Sequence, residues 1–187
     1  MSTSGPLTGF PAEGLPTPQR FITTHDAEGR SVFLPTDSGD HQAIMVAGAA
    51  SQSIMYSTDK VPINLNEEHD VKWASENQPG LHVYNGVCVR TIDFAPGAES
   101  IMHRAITLGV GTVCEGEFEF SLDSGEKRIM RPGDVSVNRG TMHKWKNLSE
   151  TKSARMIYFL VDVEPLYVNG KKLEMEMGTL GNDYVSV

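Results

Sequence analysis

Positive charge, cysteine and long apolar runs are all scarce in this sequence, and each shortage removes a class of function. There are 16 Lys and Arg against 24 Asp and Glu, a net charge of −8. Nucleic acid and anionic membrane surfaces are held by clustered cations, so neither is expected as a partner. The 2 cysteines, Cys88 and Cys114, each sit inside an apolar strand-like run and form no CxxC pair. They read as reduced, buried thiols of a cytoplasmic protein rather than a disulfide framework. The longest apolar runs, such as Met156 to Val161, are strand-sized and far short of the ~20 residues a membrane helix needs. The opening Met1 to Pro6 has no basic segment leading into an apolar core, so no secretion signal is expected. Helical periodicity is missing throughout the stretch from Gly80 to Val163.

What is present is β-texture. A chain of 187 residues fits one domain with extensions. Residues 1–19, rich in Pro, Gly, Ser and Thr, read as an arm laid over something else. Arg20 to Thr24 and Ser31 to Leu34 flank Asp26-Ala27-Glu28-Gly29, which predicts a hairpin. Gln52 to Ser57 is a candidate strand, and the polar stretch from Val61 to Gly80 reads as a long loop or lid. Beyond it come short strand-like runs: Val83-Tyr84, Val87 to Phe94, Thr107 to Cys114, Phe118 to Leu122, Arg128 to Met130, Val135 to Val137 and Arg155 to Val163. Turn residues such as Pro96-Gly97, Glu115-Gly116 and Pro132-Gly133-Asp134 separate them. Many short, evenly spaced strands imply a sandwich or barrel. The chain therefore divides into an arm, hairpin and lid over 1–80, a barrel over 81–165 and an extension over 166–187, in which Leu173 to Met177 reads as a strand or a short helix.

One constellation carries chemistry. Gly97, His103, Gly116 and, further on, Gly133, Gly140, His143 and Asn147 recur at spacings that resemble the two motifs of the cupin superfamily. The resemblance covers about residues 86–163 and implies an all-β fold, a double-stranded β-helix (jelly-roll) barrel, here with an N-terminal arm and hairpin. Met102-His103-Arg104-Ala105, Gly109-Val110-Gly111 and Cys114-Glu115-Gly116-Glu117, with Thr23 to Phe33 upstream, are similar to small cupins of fungal secondary-metabolite clusters. In the superfamily, three imidazoles and a carboxylate hold a divalent metal. Here Ala105 occupies the second His position and Gly109 the Glu position, so the resemblance implies a degenerate metal site at His103 and His143. Glu99 and Glu117 are the candidates for a replacement carboxylate.

Strand parity gives an independent reading. Alternate residues share a face, which groups His103, Ala105, Thr107, Gly109, Gly111 and Val113 on one side of a regular strand. His143, Trp145 and Asn147 group likewise, with Lys144 and Lys146 turned to water. If both grouped faces line one barrel, His103 and His143 converge, and the small residues Ala105, Gly109 and Gly111 leave room for an organic ligand beside them. Thr107, Trp145, Asn147 and Arg90 join the candidate ligand-binding residues; no inward face is evident for Arg90's strand. His25, His41, His69 and His82 lie in loops or polar segments and read as structural. Imidazole titrates near neutral pH, so a histidine pair in an apolar pocket suits proton transfer. The expected function is non-redox tailoring of a polyketide-type intermediate by dehydration, isomerisation, cyclisation or decarboxylation. A metal-dependent oxygenase or decarboxylase and a non-catalytic binding protein are the alternatives. No cofactor is required on the first reading, or a weakly bound divalent metal. A homodimer is expected, because the arm needs a surface on which to bury its apolar residues.

Overall fold

Turn chemistry sets the first element. Asp26 Oδ1 accepts the backbone N–H groups of Glu28 and Arg30 at 3.0 and 2.9 Å, which closes the hairpin between β1 (Thr23–His25) and β2 (Ser31–Phe33). The computed structural model describes residues 5–184. Arg20 anchors the base of this hairpin through ion pairs to Asp37 and Asp40, both at 2.6 Å.

The next strands are β3 (Asp40–Met45), β4 (Ala50–Thr58) and β5 (Val87–Phe94), then β6 (Leu108–Glu115), β7 (Phe118–Leu122) and β8 (Lys127–Met130). They are followed by β9 (Val135–Arg139), β10 (His143–Asn147), β11 (Ala154–Val161), β12 (Tyr167–Val168) and β13 (Lys171–Lys172). Six strands form one antiparallel sheet in the order β3-β4-β5-β11-β6-β9, and three form a second in the order β10-β7-β8. The two sheets make an all-β jelly-roll barrel. Phe94, Val113, Phe118, Met130, Trp145 and Met156 fill its core, all less than a tenth exposed. Truncating a buried aromatic such as Phe118 to Ala would cost about 3–5 kcal/mol.

The sheet begins earlier in the chain than the sequence suggests. β3 and β4 fall within the 1–80 arm-and-lid segment yet pair into the six-stranded sheet. Their membership is hard to read because β4 buries polar side chains: Ser51, Gln52, Ser53, Ser57 and Thr58 are all 2% exposed or less. Alternation of apolar with polar residues therefore fails as a signal there. Val83-Tyr84 forms no strand, and the expected lid contains a helix, α1 (His69–Glu76), which packs on β4. Leu173 to Met177 forms neither a regular strand nor a helix. Glu176 exchanges backbone hydrogen bonds with Arg104, and a short 3-10 helix follows over Gly178–Asp183.

The arm buries its apolar residues on its own chain. Leu7 and Ala12 pack against Ala95, and Leu7 donates its N–H to Gly48 O at 2.6 Å. Beneath the arm lies a buried ion pair. Arg155 on β11 grips Asp93 on β5 with both Nε and Nη2, at 2.6 and 2.9 Å. Asp93 also accepts Ala12 N–H, Arg155 also donates to Pro16 O, and the Phe10 ring lies over the guanidinium. No helix among the described residues is long and apolar enough to cross a membrane.

Candidate functional site

The two motif histidines meet because their backbones pair. His103 N–H donates to His143 O at 2.8 Å and His143 N–H donates to His103 O at 2.9 Å. Directly opposed residues of an antiparallel pair project their side chains to the same face. The two rings accordingly lie 4.3 Å apart between centroids, tilted by 47°.

Each ring is fixed by a carbonyl two residues earlier in the chain. His103 Nδ1 is 2.8 Å from Ile101 O, and His143 Nδ1 is 2.9 Å from Thr141 O. A carbonyl only accepts, so Nδ1 carries the proton in both rings and each Nε2 keeps its lone pair. Burial lowers the pKa of His103. His143 is pushed down to about 4, first by burial and then by charge on His103. Both rings are therefore neutral near pH 7.

They open onto a cavity of about 100 Å³ between the sheets. Of the residues grouped by parity, Ala105, Thr107, Gly109 and Gly111 line it beside the histidines, as do Trp145 and Arg90. Val113, one step further along the same face, is core. Trp145 serves both roles: it is packed in the core, with its ring stacked 4.1 Å from Phe120, and one edge reaches the cavity. Asn147 does not reach it. Its Nδ2 donates to Ala95 O and Lys152 O while its Oδ1 accepts Ser149 N–H, so this residue clamps a turn at the barrel's end.

The glycines leave less room than their lack of side chains suggests. A Cβ at Gly111 would lie 3.0 Å from Ser136 Oγ and 3.2 Å from the Tyr158 ring, and one at Gly109 would lie 3.4 Å from Leu160. Large side chains of the neighbouring strand β11 have filled the space opposite Gly111 and Gly109.

The inward face of β5 becomes clear only in the sheet. Arg90, Ile92 and Phe94 face the cavity, whereas Asp93 faces outward beneath the arm. Both faces are covered, which is why no alternation marks the strand. Tyr158 on β11 and Ser136 and Asn138 on β9 also line the cavity. On β9 the usual polarity is reversed: Val135 and Val137 are exposed while the polar residues point in. Leu180 and Tyr184, from the C-terminal turn, cover the cavity's rim. Nothing in the local sequence marks them, since a Leu and a Tyr in a Gly-rich tail have no periodicity to read. Burial keeps the Tyr158 and Tyr184 phenols protonated, with pKa values above the ordinary range.

The donor set falls short of the superfamily's four-ligand site, as the replacements at Ala105 and Gly109 imply. Among the described residues, no three His, Cys, Asp or Glu side chains gather where they could hold a metal. Glu99 lines the cavity, but its carboxylate is engaged by Lys144, and Glu117 pairs with Arg131 on the outer surface at 3.2 Å. Two imidazole lone pairs without a carboxylate do not match that site.

Comparison with known proteins agrees with this architecture. The cupin domain pattern matches residues 90–161. A cupin-domain-containing oxidoreductase of Neurospora crassa, srdB, is 60% identical over 98% of this chain and 93% of its own length. The cupin-domain-containing oxidoreductase fogC of Aspergillus ruber is 52% identical over 93% of this chain and 87% of its own. Phomopsin biosynthesis cluster protein C' of Diaporthe leptostromiformis is 39% identical over 92% of each. The histidine spacing, the two-sheet barrel and these near full-length relatives converge, and the chain belongs to the cupin superfamily, similar to cupins of fungal biosynthesis clusters.

Proposed function

We propose that this cupin is a small-molecule tailoring enzyme of fungal secondary metabolism that moves protons on a ligand held in the barrel. The observation that carries the reading is the tautomeric state of the histidine pair. Both Nδ1–H groups are committed to carbonyls, so two Nε2 lone pairs stand side by side in an apolar site. A proton taken from a ligand carbon or hydroxyl by one ring disfavours a second on its neighbour, because the charges would repel at this separation. The pair thus handles one proton at a time and can return it to another atom of the ligand, as dehydration, isomerisation, cyclisation or decarboxylation of a polyketide-type intermediate requires.

The test uses the intermediate that accumulates when the gene is deleted from its host. His143→Ala should turn it over at least ~100-fold more slowly than the wild type, with far-ultraviolet circular dichroism unchanged. Unchanged turnover would sink the role.

A metal-dependent oxidoreductase is the second reading, favoured by the names of two relatives and by the two free Nε2 donors. Metal analysis of protein purified without a nickel column separates the two readings. Near-stoichiometric iron, manganese or nickel supports the second, and trace metal supports the first. A cavity that binds a ligand and releases it unchanged is the third. A homodimer remains part of the proposal, though its support moves from the arm to the outer face of the main sheet. There Val137 and Phe159 are 59% and 42% exposed, on strands that flank β6. Sedimentation at micromolar concentration decides between monomer and dimer.

A further inference from the structure

Arg90 is the largest fully buried side chain among the described residues, only 1% exposed, and its hydrogen-bond partners are all neutral. Nη1 donates to Gln52 Oε1 at 2.7 Å. Nη2 donates to Gly80 O at 2.6 Å and Leu81 O at 2.5 Å, with Cys88 Sγ at 3.2 Å. The Tyr184 ring covers the guanidinium at 5.1 Å. The Nε–H, one of the five donors, has no partner at all among the described residues.

No carboxylate among the described residues forms an ion pair with this cation. The acidic side chain on the cavity wall, Glu99, is held by Lys144. Asp93 is on the same strand but faces the opposite side, where it is taken by Arg155. A buried guanidinium is ordinarily neutralised by a carboxylate, because removing it from water without a counter-charge is strongly unfavourable. Its planar fork matches planar oxyanions better than any other cationic side chain does.

From the missing counter-charge, the orphaned Nε–H and the apolar walls formed by Ile92, Phe94, Trp145 and Leu160, we propose that the cavity takes an organic anion: a carboxylate, or a conjugated oxyanion of the same planar geometry, neutralised by Arg90, with an apolar conjugated body against the aromatic wall. This rests on reading the cavity as the ligand site. It adds the ligand's charge and the residue that selects it. An anion seated at Arg90 presents its body to the imidazoles, since all three side chains line one cavity.

Benzoate and its neutral isostere benzamide form the probe pair, measured by calorimetry on the full chain. Wild-type protein should bind benzoate at least about tenfold more tightly than benzamide, the ratio expected of a charge-assisted hydrogen bond. Arg90→Gln should bring the ratio to about one, with the larger loss on the benzoate side, and Arg90→Lys should keep part of the preference. The wild-type comparison needs no variant, so the proposal stays testable if Arg90→Gln fails to fold. Equal affinity for the two probes in the wild type, no benzoate binding, or a preference that persists in folded Arg90→Gln would each overturn it. Binding is read without turnover. A lost preference beside intact His143 dependence therefore removes the anion seat alone, and the converse result removes the proton-transfer reading alone.

Discussion

Arg90 and Arg155 lie on adjacent strands of one sheet, 1% and 5% exposed; each donates to backbone carbonyls and lies under an aromatic ring, but among the described residues only Arg155 has a carboxylate. Arg155 faces outward into a closed arrangement: two bonds to the Asp93 carboxylate, one to Pro16 O and an aromatic cover from Phe10. Arg90 faces inward to an amide, two carbonyls, a sulfur and the rim tyrosine, and one donor is left over. The fold supplies the counter-charge where the arginine has a structural task, fastening the arm to the barrel. Where the arginine borders the cavity, none of the described residues supplies a counter-charge. Burial of a charge is therefore not by itself a sign of function; burial without a counter-ion, beside a cavity, is.

The comparison can be broken from the structural side first. Asp93→Ala strands the Arg155 charge and should lower unfolding free energy by about 3–5 kcal/mol in a urea titration. Arg90→Gln removes a charge that has no carboxylate partner, and should lose only about 1–3 kcal/mol through the carbonyls it leaves unpaired. Equal losses would mean that the two arginines play the same part.

Acid provides a second lever, this time on the cavity. His143 has a folded-state pKa of about 4 against 6.5 for an unperturbed imidazole. Between those values the unfolded chain binds more protons than the folded one, so stability falls as pH falls through that window and is level above it. The loss by pH 4 should approach about 3 kcal/mol from this residue alone, less what solvent entry relieves. His143→Phe should flatten the profile, leaving only the smaller contribution of His103. An unchanged slope would show that the imidazole is not buried neutral.

The smallest effect belongs to an arginine outside the comparison. Arg30, 73% exposed, pairs with Asp26 in the first hairpin turn. Arg30→Ala should shift stability by no more than about 0.5 kcal/mol by the same urea titration, and less at high salt. A larger loss would show that exposure is a poor guide to what an ion pair contributes here.

Turn residues and alternation made β7 legible to the residue, Phe118 to Leu122, and placed β6, β8, β9 and β11 to within two residues at either end. β5 was equally legible, from Val87 to Phe94, and the candidate strand Gln52 to Ser57 falls inside β4. What alternation could not show was the inward face of β5, covered on both sides, or that β4, with its buried serines, belongs to the main sheet. Motif spacing located His103 and His143, and parity put their side chains together, because a two-residue repeat survives as long as the chain stays extended. Parity also placed Asn147 inward, but its amide is drawn aside by carbonyls at the barrel's end.

By itself, then, the sequence determined the barrel, the histidine pair and the absence of two expected ligands, since each is a matter of residue type and spacing along a strand. Only the tertiary structure decided the rest. Tyr158 fills the space opposite Gly111, the C-terminal turn covers the cavity rim, and Arg155 meets Asp93 while Arg90 meets no acid among the described residues. Each depends on which side chains from distant parts of the chain come to share one small volume, and neither periodicity nor spacing encodes that.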